Sequence, residues 1–157
     1  MNPEQELGKM LKERQKTISV AESMTGGLVG DILTNVPGSS RYFEGGIVTY
    51  SDLSKQELLG VRPETLRIHG AVSEQCALEM AAGVRDRFHT HVGISLTGIA
   101  GPSGATFGKP VGLVIFGYDD GKVRMTDRKT FSGERVEIKL AAAEHLITMT
   151  LELLHEE

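Results

Sequence analysis

A single cysteine, Cys76, stands in a chain of 157 residues, so no internal disulfide can form and nothing marks a secreted disulfide scaffold. Positive charge is not in excess either. Lysine and arginine number 17 against 21 aspartates and glutamates, for a formal net charge of −4. A duplex-binding face needs basic side chains to replace counterions, so nucleic acid is not an expected partner. A small anion stays open, because one or two arginines with backbone N–H groups can hold a phosphate. No apolar run approaches the ~20 residues that cross a bilayer, and no membrane partner is expected. The opening "MNPEQELGKMLKERQKT" is charged throughout and lacks the apolar core of a signal peptide. The expected location is cytoplasmic. His-x-x-x-His, a cysteine pair and a dense carboxylate cluster are all missing, so neither metal nor cofactor is expected. Repeats, linkers and low-complexity tracts are missing too, which predicts one domain over 1–157.

What the chain does have is the balance of a globular protein, 39% hydrophobic and 24% charged. Leu7, Met10 and Leu11 recur at helical spacing within 4–15, and the β-branched "TISVA" follows as a strand. Leu28, Val29, Ile32, Leu33 and Val36 form a helical stripe that Pro37-Gly38 ends. "RYFEGGIVTYS" reads as a strand bulged at Gly45-Gly46, with Ser51 capping a short helix through Leu59. "VRPETLRIHG" reads as a turn, and Ser73 caps a long helix ending near Phe88. That helix holds Cys76, expected as a buried and inert thiol. "HVGISLTGIAG" is a buried strand that opens into a glycine-rich loop. "VGLVIFGYDDGKVRMTDRKTF" has the alternation and the Asp120-Gly121 turn of a hairpin, and Ser132-Gly133 opens a final helix. Strands mostly separated by helices predict a three-layer α/β/α sandwich with a mixed, mainly parallel sheet. Ligands of such sheets sit beyond the carboxyl ends of the parallel strands. The loops after "ISVA", "GGIVTY" and "GISLT" are therefore the ones to compare.

The first of these is "AESMTGG". Ser23 or Thr25 before a helix is most simply a cap. The other reading holds the Ser23 oxygen out on a tight turn, with the helix start behind it offering N–H groups to an anion or oxyanion. A serine needs a base. None of the five histidines lies at a strand end near these loops, which gives a Ser-His-Asp triad little support. In "GIVTYSDLSK", Lys55 falls in the first turn of a helix, an end that prefers anions. A solvated lysine is the plain reading. Pointing inward, Lys55 would be pushed toward the neutral amine that a general base requires. Tyr50 is either an ordinary strand aromatic or the group that orients Lys55. The loop "LTGIAGPSGATFGKPVG" has the glycines to let backbone approach a ligand closely, or merely to be a flexible connector. Arg135, early in the last helix, either clamps a phosphate or pairs with nearby glutamates.

Taken in order, "AESMTGG", "VPGSSRYFEGGIVTYSDLSK", "LLGV", "HGAVSE", "TGIAGPSG", "KPVGLV" and "FSGER" resemble the landmarks of the CinA C-terminal domain family, whose members include nicotinamide mononucleotide amidohydrolases. The resemblance implies deamidation of nicotinamide mononucleotide to nicotinic acid mononucleotide with release of ammonia. It also implies a serine–lysine dyad of Ser23 and Lys55, with Tyr50 orienting the lysine. Thr97 and Arg135 would support the substrate or the developing charge. Substrate contacts are further expected from Thr25, Gly26, Gly27, Gly45, Gly98 and Gly101. The family's α/β/α sandwich is commonly oligomeric, so a homo-oligomer is expected, with a small mononucleotide as substrate. The chain departs from the pattern at Met24, where the family usually has cysteine, at Asp52, usually asparagine, and in the loop "SGATFG". Asp52 adds a negative charge near Lys55, which favours the protonated amine. The rival reading is a non-catalytic nucleotide-binding or adaptor domain of the same fold. An RNA-binding module rests on fold analogy alone, and the acidic balance speaks against it.

Overall fold

The computed structural model describes residues 1–157. In chain order the elements are α1 (Pro3–Glu13), β1 (Ile18–Glu22), α2 (Leu28–Thr34), a 3-10 turn (Ser39–Arg41), β2 (Phe43–Val48), α3 (Asp52–Leu59), α4 (Pro63–His69), α5 (Glu74–Phe88), β3 (Val92–Gly98), β4 (Leu113–Asp119), β5 (Arg124–Thr130) and α6 (Arg135–His155). The strands form one five-stranded sheet in the order β2-β1-β3-β4-β5. β2, β1 and β3 pair in parallel, and β4 runs antiparallel to both its neighbours. Only β4 is reversed, so the sheet is mixed, as expected of this α/β fold.

Each layer follows from the side chains beneath it. On one face Val20, Ile94, Leu96, Phe116 and Tyr118 are fully buried against Leu7 and Leu11 of α1, Val29 and Leu33 of α2, and Ile138, Ala142 and Leu146 of α6. The other face has small residues on β1 and β3, and Leu113 and Ile115 on β4, the latter packed with Ala77, and α5 lies directly on it. Ser19 and Ser95 donate their hydroxyls to the α5 carbonyls of Val84 and Ala77 at 3.1 and 2.6 Å. A Cβ at Gly117 would stand 2.5 Å from the Ala77 carbonyl oxygen, so glycine there is what lets the helix backbone settle onto the sheet. A smaller cluster of Ala21, Leu59, Val61, Leu66, Cys76, Met80 and Val84 joins α3, α4 and α5.

Several local expectations shift by a residue or two. The β1–β2 register slips between Ile18 and Ser19, leaving Glu44 as the extra residue, one position before the expected bulge. The hairpin turn holds Asp120 to Val123, closed by the Asp120 carboxylate accepting from the Lys122 and Val123 amides at 2.9 and 2.7 Å. The last helix is capped by Glu134 through a box with Glu137, rather than by Ser132. "VRPETLRIHG" contains a real helix, α4, with Pro63 in its first turn and Gly70 after its end. The C-termini of β1, β2 and β3 lie side by side, and the cleft opens there. No helix is long and apolar enough to cross a membrane.

Candidate active site

Ser51 starts α3. Its hydroxyl accepts from the Ser54 amide at 3.1 Å while the Ser54 hydroxyl takes the Ser51 amide at 3.2 Å. Lys55 is therefore the fourth helical residue. Helical side chains lean toward the N-terminus, so its four methylenes run back over the first turn to the strand end. The amine is buried there, with 2% of the residue exposed. It stands 3.1 Å from Ser23 Oγ and 2.7 Å from the carbonyl oxygen of Thr49. Ser23 directly follows Glu22, the last residue of β1, and is itself only 7% exposed.

Burial pushes the Lys55 amine below the usual lysine range, and the negative charges of Cys76 and Asp52 work against that shift. The Cys76 thiol is pushed up to about 12 by burial, so it is uncharged at neutral pH. Asp52 is then the one opposing charge that acts there. The partial positive charge of the α3 N-terminus also favours the neutral amine. A neutral Lys55 can donate one N–H to the Thr49 carbonyl and turn its lone pair to the Ser23 hydroxyl. That is the arrangement a serine and a base require.

The cleft is about 320 Å³ and open at its mouth, within the size range of small-ligand sites. Ser23, Lys55, Tyr50, Thr97, Gly98, Gly101 and Arg135 all line it, so seven of the expected site residues meet in one place. Arg135 Nη1 donates to the Gly101 carbonyl at 2.6 Å and Nη2 donates to the Tyr50 hydroxyl at 2.9 Å. Tyr50 thus faces Arg135. The partner beside Lys55 that orients the amine is the Thr49 carbonyl, in place of the tyrosine expected from the resemblance. Thr97 donates its hydroxyl to the Ala71 carbonyl at 3.1 Å, which ties β3 to the segment before α5.

Thr25, Gly26 and Gly27 lie outside the cleft, beside Val136, Lys139 and Leu140 of α6. Gly45 also lies outside it, midway along β2, where a Cβ would stand 2.6 Å from the Phe88 ring. Neither Ser23 nor Thr25 caps α2, whose N-cap is Gly27. The cap comes from Glu22, a residue the sequence reading passed over. Its Oε1 accepts from Thr25 Oγ1 at 2.6 Å, the Gly27 amide at 3.2 Å and the Val29 amide at 3.0 Å. Oε2 accepts from the Gly30 amide at 3.0 Å. The available signal was a glutamate closing a β-branched strand, where a charge is costly unless its acceptors are filled.

Residues 2–154 match the model of the CinA C-terminal domain family. A CinA-like protein of Thermosynechococcus vestitus is 50% identical over 131 residues, 82% of this chain and 31% of that protein. A CinA-like protein of Cyanothece sp. is 58% identical over 111 residues, 71% of this chain and 27% of that protein. The chain thus spans about a third of the length of the curated relatives it matches. Among solved structures, a competence-damaged protein (CinA) superfamily protein from Klebsiella pneumoniae superposes with a TM-score of 0.95 at 31% identity, covering 99% of this chain and 97% of that one. The competence/damage inducible protein CihA of Agrobacterium tumefaciens gives 0.89 at 36% identity, over 98% and 96%.

Proposed function

The chain belongs to the CinA C-terminal domain family, and from that premise and the cleft's geometry we propose that it is an amidohydrolase acting on nicotinamide mononucleotide through Ser23 and Lys55. The observation that carries the reading is a buried lysine nitrogen 3.1 Å from a serine oxygen in one cleft. Serine alone is a poor nucleophile and needs an adjacent base. Lys55 takes the Ser23 proton as Oγ attacks the carboxamide carbon. The tetrahedral intermediate collapses as Lys55 returns that proton to the departing nitrogen, which leaves as ammonia. Water then attacks the acyl-serine, again with Lys55 as base, and releases the carboxylate product. Arg135, the one arginine lining the cleft, binds the phosphate, exchanging its bond to Tyr50 for charge-assisted bonds to the anion.

The test is ammonia release from nicotinamide mononucleotide by wild type, Ser23→Ala and Lys55→Ala. Each variant is expected to lose about a thousandfold or more in kcat, as removal of a nucleophile or its base does elsewhere. A Ser23→Ala protein with full activity eliminates the dyad. Calorimetric binding of the nucleotide with no ammonia from wild type favours the non-catalytic binding domain.

A further inference from the structure

Nothing in the cleft's lining assigns the donors that would hold a developing oxyanion. The N-terminus of α2, behind Ser23, is the obvious source, but the structure shows it already taken. Glu22 is 2% exposed and lies outside the cleft, and all four of its partners donate to it. An oxyanion arriving there would meet a carboxylate and spent amides. The Gly26 amide is used as well, donating to the Ser23 carbonyl at 3.2 Å, and the Leu28 amide donates to Thr25.

The amides of Ser23, Met24 and Thr25, by contrast, donate to no protein group. Of these residues, Ser23 and Met24 line the cleft beside Lys55. The amides of the nucleophile and its neighbour are where an oxyanion bound to that nucleophile finds donors in other acyl-transfer sites. Two further unpaired amides, Ala100 and Gly101, belong to the wall where Arg135 sits.

We infer that Glu22 is the positioning residue of the nucleophile's turn: by binding the Thr25 hydroxyl and the first amides of α2, it fixes the backbone of Ser23 and Met24 so that their amides form the oxyanion site. The inference rests on Ser23 being the nucleophile. It gives Thr25 a role outside the substrate, as the near tether of Glu22. The acidic side chain directly before Ser23 then sets where the amides point without touching the substrate.

A small activated ester separates this inference from the choice of natural substrate. With p-nitrophenyl acetate, Ser23 Oγ attacks the acetyl carbon, its proton passes to Lys55, and p-nitrophenolate departs, leaving an acetylated Ser23 found by peptide mass. The acylation rate is followed by nitrophenolate absorbance across pH in wild type, Glu22→Gln and Thr25→Val, with circular dichroism to show that each is folded. Glu22→Gln keeps the size but replaces one acceptor oxygen with a donor NH2. It is expected to acylate about tenfold slower or worse, and Thr25→Val about threefold slower, since the oxyanion donors shift rather than vanish. The loss should persist at the high-pH plateau with the midpoint unmoved, because Glu22 is not among the charges acting on Lys55. A rate restored by raising pH overturns the inference. So do folded variants that acylate at the wild-type rate, Thr25→Val alone deciding if Glu22→Gln does not fold. A wild type never acetylated at Ser23 overturns the nucleophile reading, and this inference with it.

Discussion

At the end of β1 a buried glutamate has four donors around its two oxygens, while at the end of β2 a buried lysine has two acceptors around its nitrogen. The two junctions are adjacent in the sheet, and each joins a parallel strand to a short helix. Their electrostatics are opposite. Glu22 completes the open end of α2 and so steadies the fold. Lys55 sits at the open end of α3, where a cation is unwelcome, and its two partners leave the charged ammonium one acceptor short of its three donors. Saturation marks the junction that holds the turn, and shortage marks the one proposed to react. The buried amine would gain stability by losing its proton, which is the state a base works in.

That contrast can be broken most severely from behind. Gly83 of α5 lies against the C-terminal end of α3, where a Cβ would stand 2.0 Å from the Leu59 carbonyl oxygen. Arg87, one turn later, donates to the Leu58 and Glu57 carbonyls at 2.9 and 3.2 Å. Gly83→Ala must push the two helices apart, and we expect a loss of about 3 kcal/mol in urea unfolding, with activity falling because Lys55 moves with α3.

Removing the proposed base should act in the other direction. Lys55→Met is expected to raise stability at pH 7 by about 1 kcal/mol, since a charge is no longer buried, while ending ammonia release. The sign with pH follows from the lowered lysine. Between its folded value and the unfolded ~10.4, the unfolded chain binds the proton that the folded chain has released, so wild-type stability rises with pH there. The penalty is whole below that window and gone above it. The advantage of Lys55→Met should therefore shrink as the melting series approaches pH 10.

The mildest change sharpens the contrast. Asp52 holds the lysine up against the effect of burial. Asp52→Asn should shift the rising limb of kcat/KM to lower pH and increase the neutral-pH rate about twofold, the scale of a few tenths of a pKa unit.

Much of this was legible in the residues. The Ser51 and Ser73 caps, the β-branched β1 and the parallel strand ends follow from side-chain chemistry and periodicity, and both helices begin where expected. Ser23, Lys55 and Arg135 each have a bland reading at their places, as a cap, a solvated lysine and a surface ion pair, and the ordered resemblance to the CinA landmarks is what singled them out. The orienting partner of Lys55 could not be named, because it is a carbonyl of Thr49, and every residue has one. Glu22 was hidden for a related reason. Its partners are mostly main-chain amides from Gly27 to Gly30, which only three-dimensional pairing identifies. α4 escaped because its apolar side chains after Pro63, Leu66 and Ile68, stand two positions apart, which is not a helical spacing.

The bond from Arg135 to Tyr50 spans 85 positions of sequence and joins the last helix to the segment after β2. The chain has no tryptophan, and its other tyrosines, Tyr42 and Tyr118, are sealed in the core. Tyr50, 64% exposed, is thus the single solvent-facing tyrosine, and it sits on the one arginine of the cleft. An anion that draws the guanidinium away leaves that phenol in water, so occupancy of the cleft can be followed by intrinsic emission, with no label added.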